Sequence, residues 1–585
     1  ALEAAAGLVT AVYSGDAVYG GAEASTQVAL VIGATPGQSF VVPFVTPNPV
    51  PLDGFTWSYT VGLTELNGVA TTLTGFTING VSQNLSYWTS TQLPANGKIF
   101  ASLDPSGLTV PLNRVFAFTG SDAGGHAWSH VLTVPFVSAQ GANVSPGMLL
   151  SSSPAIVQQN PRAASGCQWE QTLTLQETGG FLVELNGFTE GVSNLSGQIQ
   201  QYFGTTRLAP FGQLQADVCV AGISPPETQN VAVSGTSEVG TTVAASLNVS
   251  YAAAAAAPAT FSVSPSAVTI PASGGPAAIG LSFSSGAPAW TASVLPANLT
   301  STWLALSAMS GAGAGQIALT ASATGLAPGV YNAVVDIQAA NCLPQSIQVP
   351  VVLAVGAAPA AISIGGVGSN ASGLTTLAPG MQAAVYGTGL ALSTGSAASL
   401  PLPLTLAGVS ATVNGVSAPL YFVSPNQIDL QIPYETGRGT AILAVDNAGL
   451  VAYFPVQVAV AAPGIFNVFY DASTQQYNAA APGDAVEMFI TGDGDVSPSL
   501  ATGATPPAIT AAENLPAPRQ PVSLTVGGVA VTPLFVGIPS GLAGVTQINF
   551  TVPAGLAAGA QPVVVTVGGV ASPAVNLKIV AATAP

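Results

Sequence analysis

Short runs rich in Val, Ile, Thr, Leu and Phe, broken every few residues by Gly, Pro, Asn or Ser, fill nearly the whole 585-residue chain. Thr172, Leu173, Thr174 and Leu175 alternate hydroxyl and apolar side chains, and Phe261, Ser262, Val263 and Ser264 do the same. A period of two sends alternate side chains to opposite faces, the pattern of a half-buried strand. No segment keeps a 3.6-residue period between capping residues, so no long helix is predicted. The expected fold class is all-β: tandem immunoglobulin-like β-sandwich domains in an elongated multi-domain chain.

Internal repeats set the expected boundaries. Trp57 and Phe76 (in Leu73, Thr74, Gly75, Phe76) recur 112 positions on as Trp169 and Phe188 (in Leu185, Asn186, Gly187, Phe188). The closing strands also correspond, Leu132 to Phe136 matching Leu247 to Tyr251. Residues 23–137 and 147–251 therefore read as two copies of one domain, behind an arm at 1–22. After an Ala-rich spacer comes a third unit, 259–355. A second repeat pair, 365–462 and 463–585, follows. There Ala378, Pro379, Gly380, Thr388 and Gly389 recur as Ala481, Pro482, Gly483, Thr491 and Gly492. The run Gln427 to Pro433 recurs as Gln547 to Pro553.

Two of these regions resemble known families. Phe261 to Ser264, Trp290, Trp303 and Tyr331 resemble BACON-type immunoglobulin-like domains of secreted bacterial proteins, a resemblance that implies an extracellular setting and a capacity for glycan binding. Residues 365–580 resemble the uncharacterised C-terminal domain of secreted acidobacterial proteins, through Pro401 to Pro433, Ala461 to Phe466, Ala481 to Asp484 and Gln547 to Pro553. That resemblance implies extracellular location and immunoglobulin-like repeats, and brings no catalytic residues with it.

Composition narrows the function. Only 5% of residues are charged, against about 25% in an ordinary soluble domain. Seven Lys plus Arg against 24 Asp plus Glu give a net charge of −17. So few cations make no basic surface for phosphates, which argues against nucleic acid as a partner. Mean hydropathy is +0.53, yet no uninterrupted apolar run of about 18 residues exists, so no membrane insertion by a helix is expected. The chain opens on Ala1 with no basic or apolar leader, as after removal of a signal peptide or other trimming. An extracellular or cell-surface protein is expected.

Candidate chemistry is sparse. Cys167 and Cys219 lie in one repeat copy and can pair; Cys342 is then a buried thiol or an intermolecular link. His126 and His130 are the only histidines, and four residues along a strand hold them about 13 Å apart, too far for one ion. Gly492, Asp493, Gly494 and Asp495 suggest calcium, but the ligand series stops at Val496, and a turn is the better reading. No metal, no cofactor and no catalytic residue is assigned, and the chain is read as not an enzyme. Trp57, Trp169, Trp290 and Trp303 are expected in cores. Tyr87 and Trp88 are the sugar-contact candidates.

Two functions remain. The first is a self-assembling extracellular structural subunit of a filament or layer, with a homo-oligomer or polymer as its partner. Its low charge suits burial against neighbours. Leu8, Val9, Thr10, Ala11, Val12 and Tyr13 form a strand-like arm that either joins a neighbour's sheet edge or pairs with its own first domain. The alternative is a secreted adhesin or carbohydrate-binding protein with spacer domains and a glycan ligand.

Overall fold

The alternating pattern folds as strands almost throughout. In this computed structural model the described residues are 9–12, 23–26 and 37–581, except 47–49, 52–55, 66, 96, 109–111, 138–145, 165, 239, 297–302, 324–325, 327–328, 358–359, 448 and 508–509. Five large apolar cores are present, one between each pair of facing sheets.

The first sandwich packs a three-stranded sheet, with Tyr59–Glu65 between Val41–Thr46 and Lys98–Leu103, against a six-stranded one. The larger sheet runs Val50–Pro51, Ala127–Val137, Leu112–Asp122, Thr71–Ile78, Val81–Ser82, and Gln92–Leu93 also pairs with Thr71–Ile78. The second sandwich repeats this strand for strand. Trp169–Glu177 is central in the small sheet, and Arg207–Leu208 sits on Val183–Glu190 where Gln92–Leu93 sits on Thr71–Ile78. Both copies carry the same bulge, after Leu73 and after Leu185. Gly75 and Gly187 follow it because a Cβ there would come within 2.5 Å of the Thr119 hydroxyl and 2.1 Å of the Ser234 hydroxyl. Trp57 and Trp169 are buried in equivalent places.

The cores of the two copies diverge at matched positions. In the first, Tyr59 meets Phe116 and Phe136 edge to face at 5.7 and 5.2 Å. In the second, a buried polar trio replaces the aromatic contact. Gln171 Nε2 donates to Glu190 Oε1 (3.1 Å) and to the Tyr251 hydroxyl (3.0 Å), which donates to Glu190 (3.0 Å). The third sandwich buries Trp290 and Trp303, and the fourth and fifth share the order of their main strands and differ at the sheet edges.

Carboxylates staple turns. Glu65 accepts the backbone N–H groups of Phe40, Asn67 and Val69. Its counterpart Glu177 accepts those of Gly179, Gly180 and Phe211. Asp122 takes Ser39, Gly124 and His126, and Asp471 takes Ser473 and Thr474. A lysine has only donors and cannot do this, which gives the acid excess a structural use.

The structure pairs Cys167 with Cys219, closing a sequence separation of 52. Cys342 is buried in the third core, and burial pushes its thiol pKa up. Of the arm, Val9–Val12 pairs antiparallel with Glu23–Thr26 of the same chain, while Leu8 and Tyr13 lie outside the described residues. Reduction of the disulfide, or Cys219→Ser, should lower the stability of the second sandwich by about 4 kcal/mol. Thermal melting with and without reductant reads this. In the same samples Cys342 should resist alkylation until the third sandwich unfolds.

Candidate functional site at the junction of the second, fourth and fifth sandwiches

The sequence candidates scatter. Trp88 is 5% exposed and meets Phe76 and Phe118 edge to face at 5.4 and 6.1 Å. It is a core residue and cannot stack on a sugar, so that assignment is corrected. The reason lies in its neighbours: residue 88 bridges to Ala101 and turns its ring inward, whereas Tyr87, on the preceding 3₁₀ turn, is 54% exposed. His126 pairs with Asp122 at 3.1 Å. His130 stacks on Trp128 at 5.7 Å, and burial lowers its pKa to about 4.

The chemistry that does converge was not visible as a motif. It forms where Gly492, Asp493, Gly494 and Asp495 meet the second sandwich. Gly492 and Gly494 both have positive φ, 86° and 82°. A Cβ on either would fall 2.2 Å from the Ala462 carbonyl oxygen and 2.3 Å from that of Val460. Glycine is required for this approach to the link between the fourth and fifth sandwiches. The repeat partner Gly389 makes the same approach to Ala361. Beyond the shared Thr-Gly turn the copies part: Asp495 is fully buried, whereas Leu392, in the equivalent place, is 80% exposed.

Asp495 is buried against the second sandwich. Its Oδ2 accepts the Thr206 N–H (3.1 Å) and hydroxyl (2.7 Å), and its Oδ1 accepts Arg207 Nε (3.0 Å). Arg207 Nη2 also lies 2.9 Å from Oδ1, so one edge of the guanidinium converges on a single carboxylate oxygen. Arg207 Nη1 faces Glu435 at 3.7 Å and donates to the Leu500 carbonyl. Its guanidinium carbon sits 4.5 Å from the centre of the Tyr434 ring. Arg519 joins Asp495 (3.3 Å) to Glu184 of the second sandwich (2.7 Å). Burial alone would raise the Asp495 pKa; Arg207, Thr206 and Arg519 outweigh it and hold the carboxyl below its ordinary value. Asp493 has the Thr546 hydroxyl at 2.8 Å and no such cation, so burial lifts its pKa to about 6.

In the first sandwich the positions of Glu184 and Arg207 hold Thr72 and Gln92, a neutral exposed pair 3.1 Å apart. One register position therefore carries a solvent-facing contact in one copy and the cationic half of a clasp in the other. The clasp joins residues nearly 290 apart (|i−j| 288 for Arg207 and Asp495). The tandem array is thus folded back on itself between the second and fifth sandwiches and is not extended throughout. The third sandwich is tied to the second: Ser153 donates to Asp336 (2.6 Å) and Gln215 to Gln348 (2.8 Å).

Beside the clasp lies a cleft of about 740 Å³. The second sandwich contributes Gln201, Gln215 and Asp217, the fourth Arg438, and the fifth Gln520, over a floor of small residues that includes Gly439 and Ala459. A second hollow, about 480 Å³ around Val531 and Val552, is open, and neither Asp, Glu, Lys, Arg, Asn nor Gln lines it. Among the described residues, Cys167, Glu170 and Cys219 are the one cluster with metal-ligand spacing, and both its sulfurs are in the disulfide.

Arg207→Ala leaves Glu435 buried without its cation and Asp495 with Arg519 alone, and should cost about 3–5 kcal/mol, read as earlier melting and faster amide exchange around 206–208 and 495–502. Asp493 adds a pH dependence of opposite sign to the usual carboxylate. Folded, it keeps its proton up to about pH 6; unfolded, it loses it near 3.8. The folded state binds the extra proton in that window, so stability falls as pH rises through it and stays lower above. Asp493→Asn should leave melting unchanged near about pH 3 and stabilise by up to about 3 kcal/mol above about pH 7.

No family model matches the chain, and no curated protein matches it. Solved structures similar to it include SGBP-B of the Bacteroides ovatus mixed-linkage glucan utilization locus, in complex with mixed-linkage heptasaccharide. Identity is 14% over 54% of this chain and 65% of that one, with a TM-score of 0.24. The match thus spans a little under two thirds of that protein's length. A 1.5-MDa bacterial ice-binding adhesin is 14% identical over 55% of this chain and 98% of that one, TM-score 0.14. The human desmocollin-1 ectodomain is 8% identical over 88% and 93%, TM-score 0.16. At these TM-scores the likeness carries no argument about function.

Proposed function

We propose that this chain is a non-enzymatic extracellular structural protein that assembles with copies of itself into a surface filament or layer. One observation carries the reading: a large part of the chain's few charges is withdrawn from its surface. Glu65, Asp122, Glu177, Glu190, Asp336, Glu435, Asp471, Asp493 and Asp495 are all buried, as is Arg207. These charges serve turns, a core hydrogen-bond trio, a contact between sandwiches and the clasp, and the outer sheet faces are left mostly to hydroxyl, amide and apolar side chains. Val115 and Val131, for example, stand 39% and 51% exposed on neighbouring strands of the first sandwich. Such faces lose little hydration when covered, whereas charged faces carry a large desolvation cost. The two family resemblances support the extracellular setting.

The arm offers one route to assembly: Val9–Val12 pairs with Glu23–Thr26 along one edge, and a neighbour's sheet would either take its other edge or displace that strand. Electron microscopy and light scattering of the native material should show polymers, and a monodisperse monomer at high concentration would refute the reading. Contacts between uncharged faces should also persist at high salt, where exposed ion pairs are screened. Deleting residues 1–14 separates the routes. Loss of polymer identifies strand donation; persistence identifies assembly through the sandwich faces.

A further inference from the structure

We propose that the cleft between the second, fourth and fifth sandwiches binds a short, neutral, hydroxyl-rich glycan. Its size falls in the range of small-ligand sites. The clasp beside it fixes its walls, because Arg207, Asp495 and Arg519 join the same three sandwiches that supply the lining. Docking there is also close at the backbone level. Arg438 N–H donates to the Phe203 carbonyl at 3.1 Å, and a Cβ on Gly204 would fall 2.3 Å from the Arg438 nitrogen. A site on such walls loses little entropy when a ligand enters.

The lining groups keep hydrogen-bonding capacity in hand. Gln215 uses its Nε2 on Thr174 and Gln348, and its Oε1 accepts nothing among the described residues. Asp217 takes the Thr172 hydroxyl on Oδ1 alone. Gln520 donates to Gln200 and keeps its own oxygen. Arg438 uses Nη1 on the Gln201 carbonyl, which leaves Nε and Nη2. Amide, carboxylate and guanidinium groups side by side offer paired donors and acceptors, the complement of adjacent hydroxyls on a sugar ring. The net charge of −17 and Asp217 on the wall disfavour a polyanion. On the fourth-sandwich side the cleft offers a peptide strand no free edge, because Gly439 and Val458, which line it there, are already paired with each other.

The site lies within one chain, so it stands or falls independently of polymer formation. The intact chain would be screened on an array of short neutral α- and β-linked oligosaccharides, and the strongest array member then titrated by calorimetry. Asp217→Ala should weaken that binding roughly tenfold or more, and Val570→Trp, which fills the cleft from the fifth sandwich, should abolish it. Both variants should melt like the parent, since Asp217 and Val570 are exposed. Met309→Ala, on the third sandwich, should bind normally. A blank array overturns the proposal. So does glycan binding that survives Val570→Trp or depends on Tyr87, and so does a cleft that takes peptides and no glycan.

Discussion

Arg207 and Asp495 form the contact on which the rest of the arrangement depends. Each is a charge almost completely withdrawn from water, and each would be costly alone. Together, with Glu435, Arg519, Tyr434 and Thr206 around them, every charge faces an opposite charge, a ring face or a donor. Apolar contact between sandwiches tolerates sliding. A buried ion pair does not, because a small displacement leaves both partners desolvated and unpaired. The clasp therefore fixes one orientation of the second sandwich against the fourth and fifth, and the cleft beside it inherits that geometry.

The same economy of charge shapes the rest of the chain. Carboxylates are placed where several backbone N–H groups converge at a turn, as at Glu65 and Glu177, and few charges remain for the outer faces. A protein built this way is poor in surface charge for a structural reason: its acids are internal parts. The outer faces that result suit contact with other uncharged surfaces, which links local turn chemistry to the proposed assembly.

The two repeat pairs show how function diverges on a fixed scaffold. Strand order, bulge and turn glycine persist between copies, because each is set by backbone sterics: Gly75 with Gly187, Gly389 with Gly492. Side chains at matched positions are free to change. Thr72 and Gln92 become Glu184 and Arg207; Leu392 becomes Asp495; Tyr59 and Phe136 become Gln171 and Tyr251. The charged halves of the clasp thus arose in one member of each pair, at places where the other member faces solvent.

Much of the fold was legible in the sequence because its causes are local. Period-two alternation, turn glycines and repeat spacing specified strands, sandwich class and the equivalence of Trp57 with Trp169, and two cysteines in one copy suggested the bond that forms. The inward turn of Trp88 was not legible, since alternation does not say which face of a two-residue bridge is covered. Nor was the partner of Asp495. A Gly-Asp-Gly-Asp turn reads as a loop or an ion site until a sandwich nearly 290 residues away brings Arg207 onto it. Sequence spacing determines which side chains share a face; only the packing of whole sandwiches decides which charges meet, because that pairing depends on the orientation of rigid bodies and leaves no periodic trace in the chain.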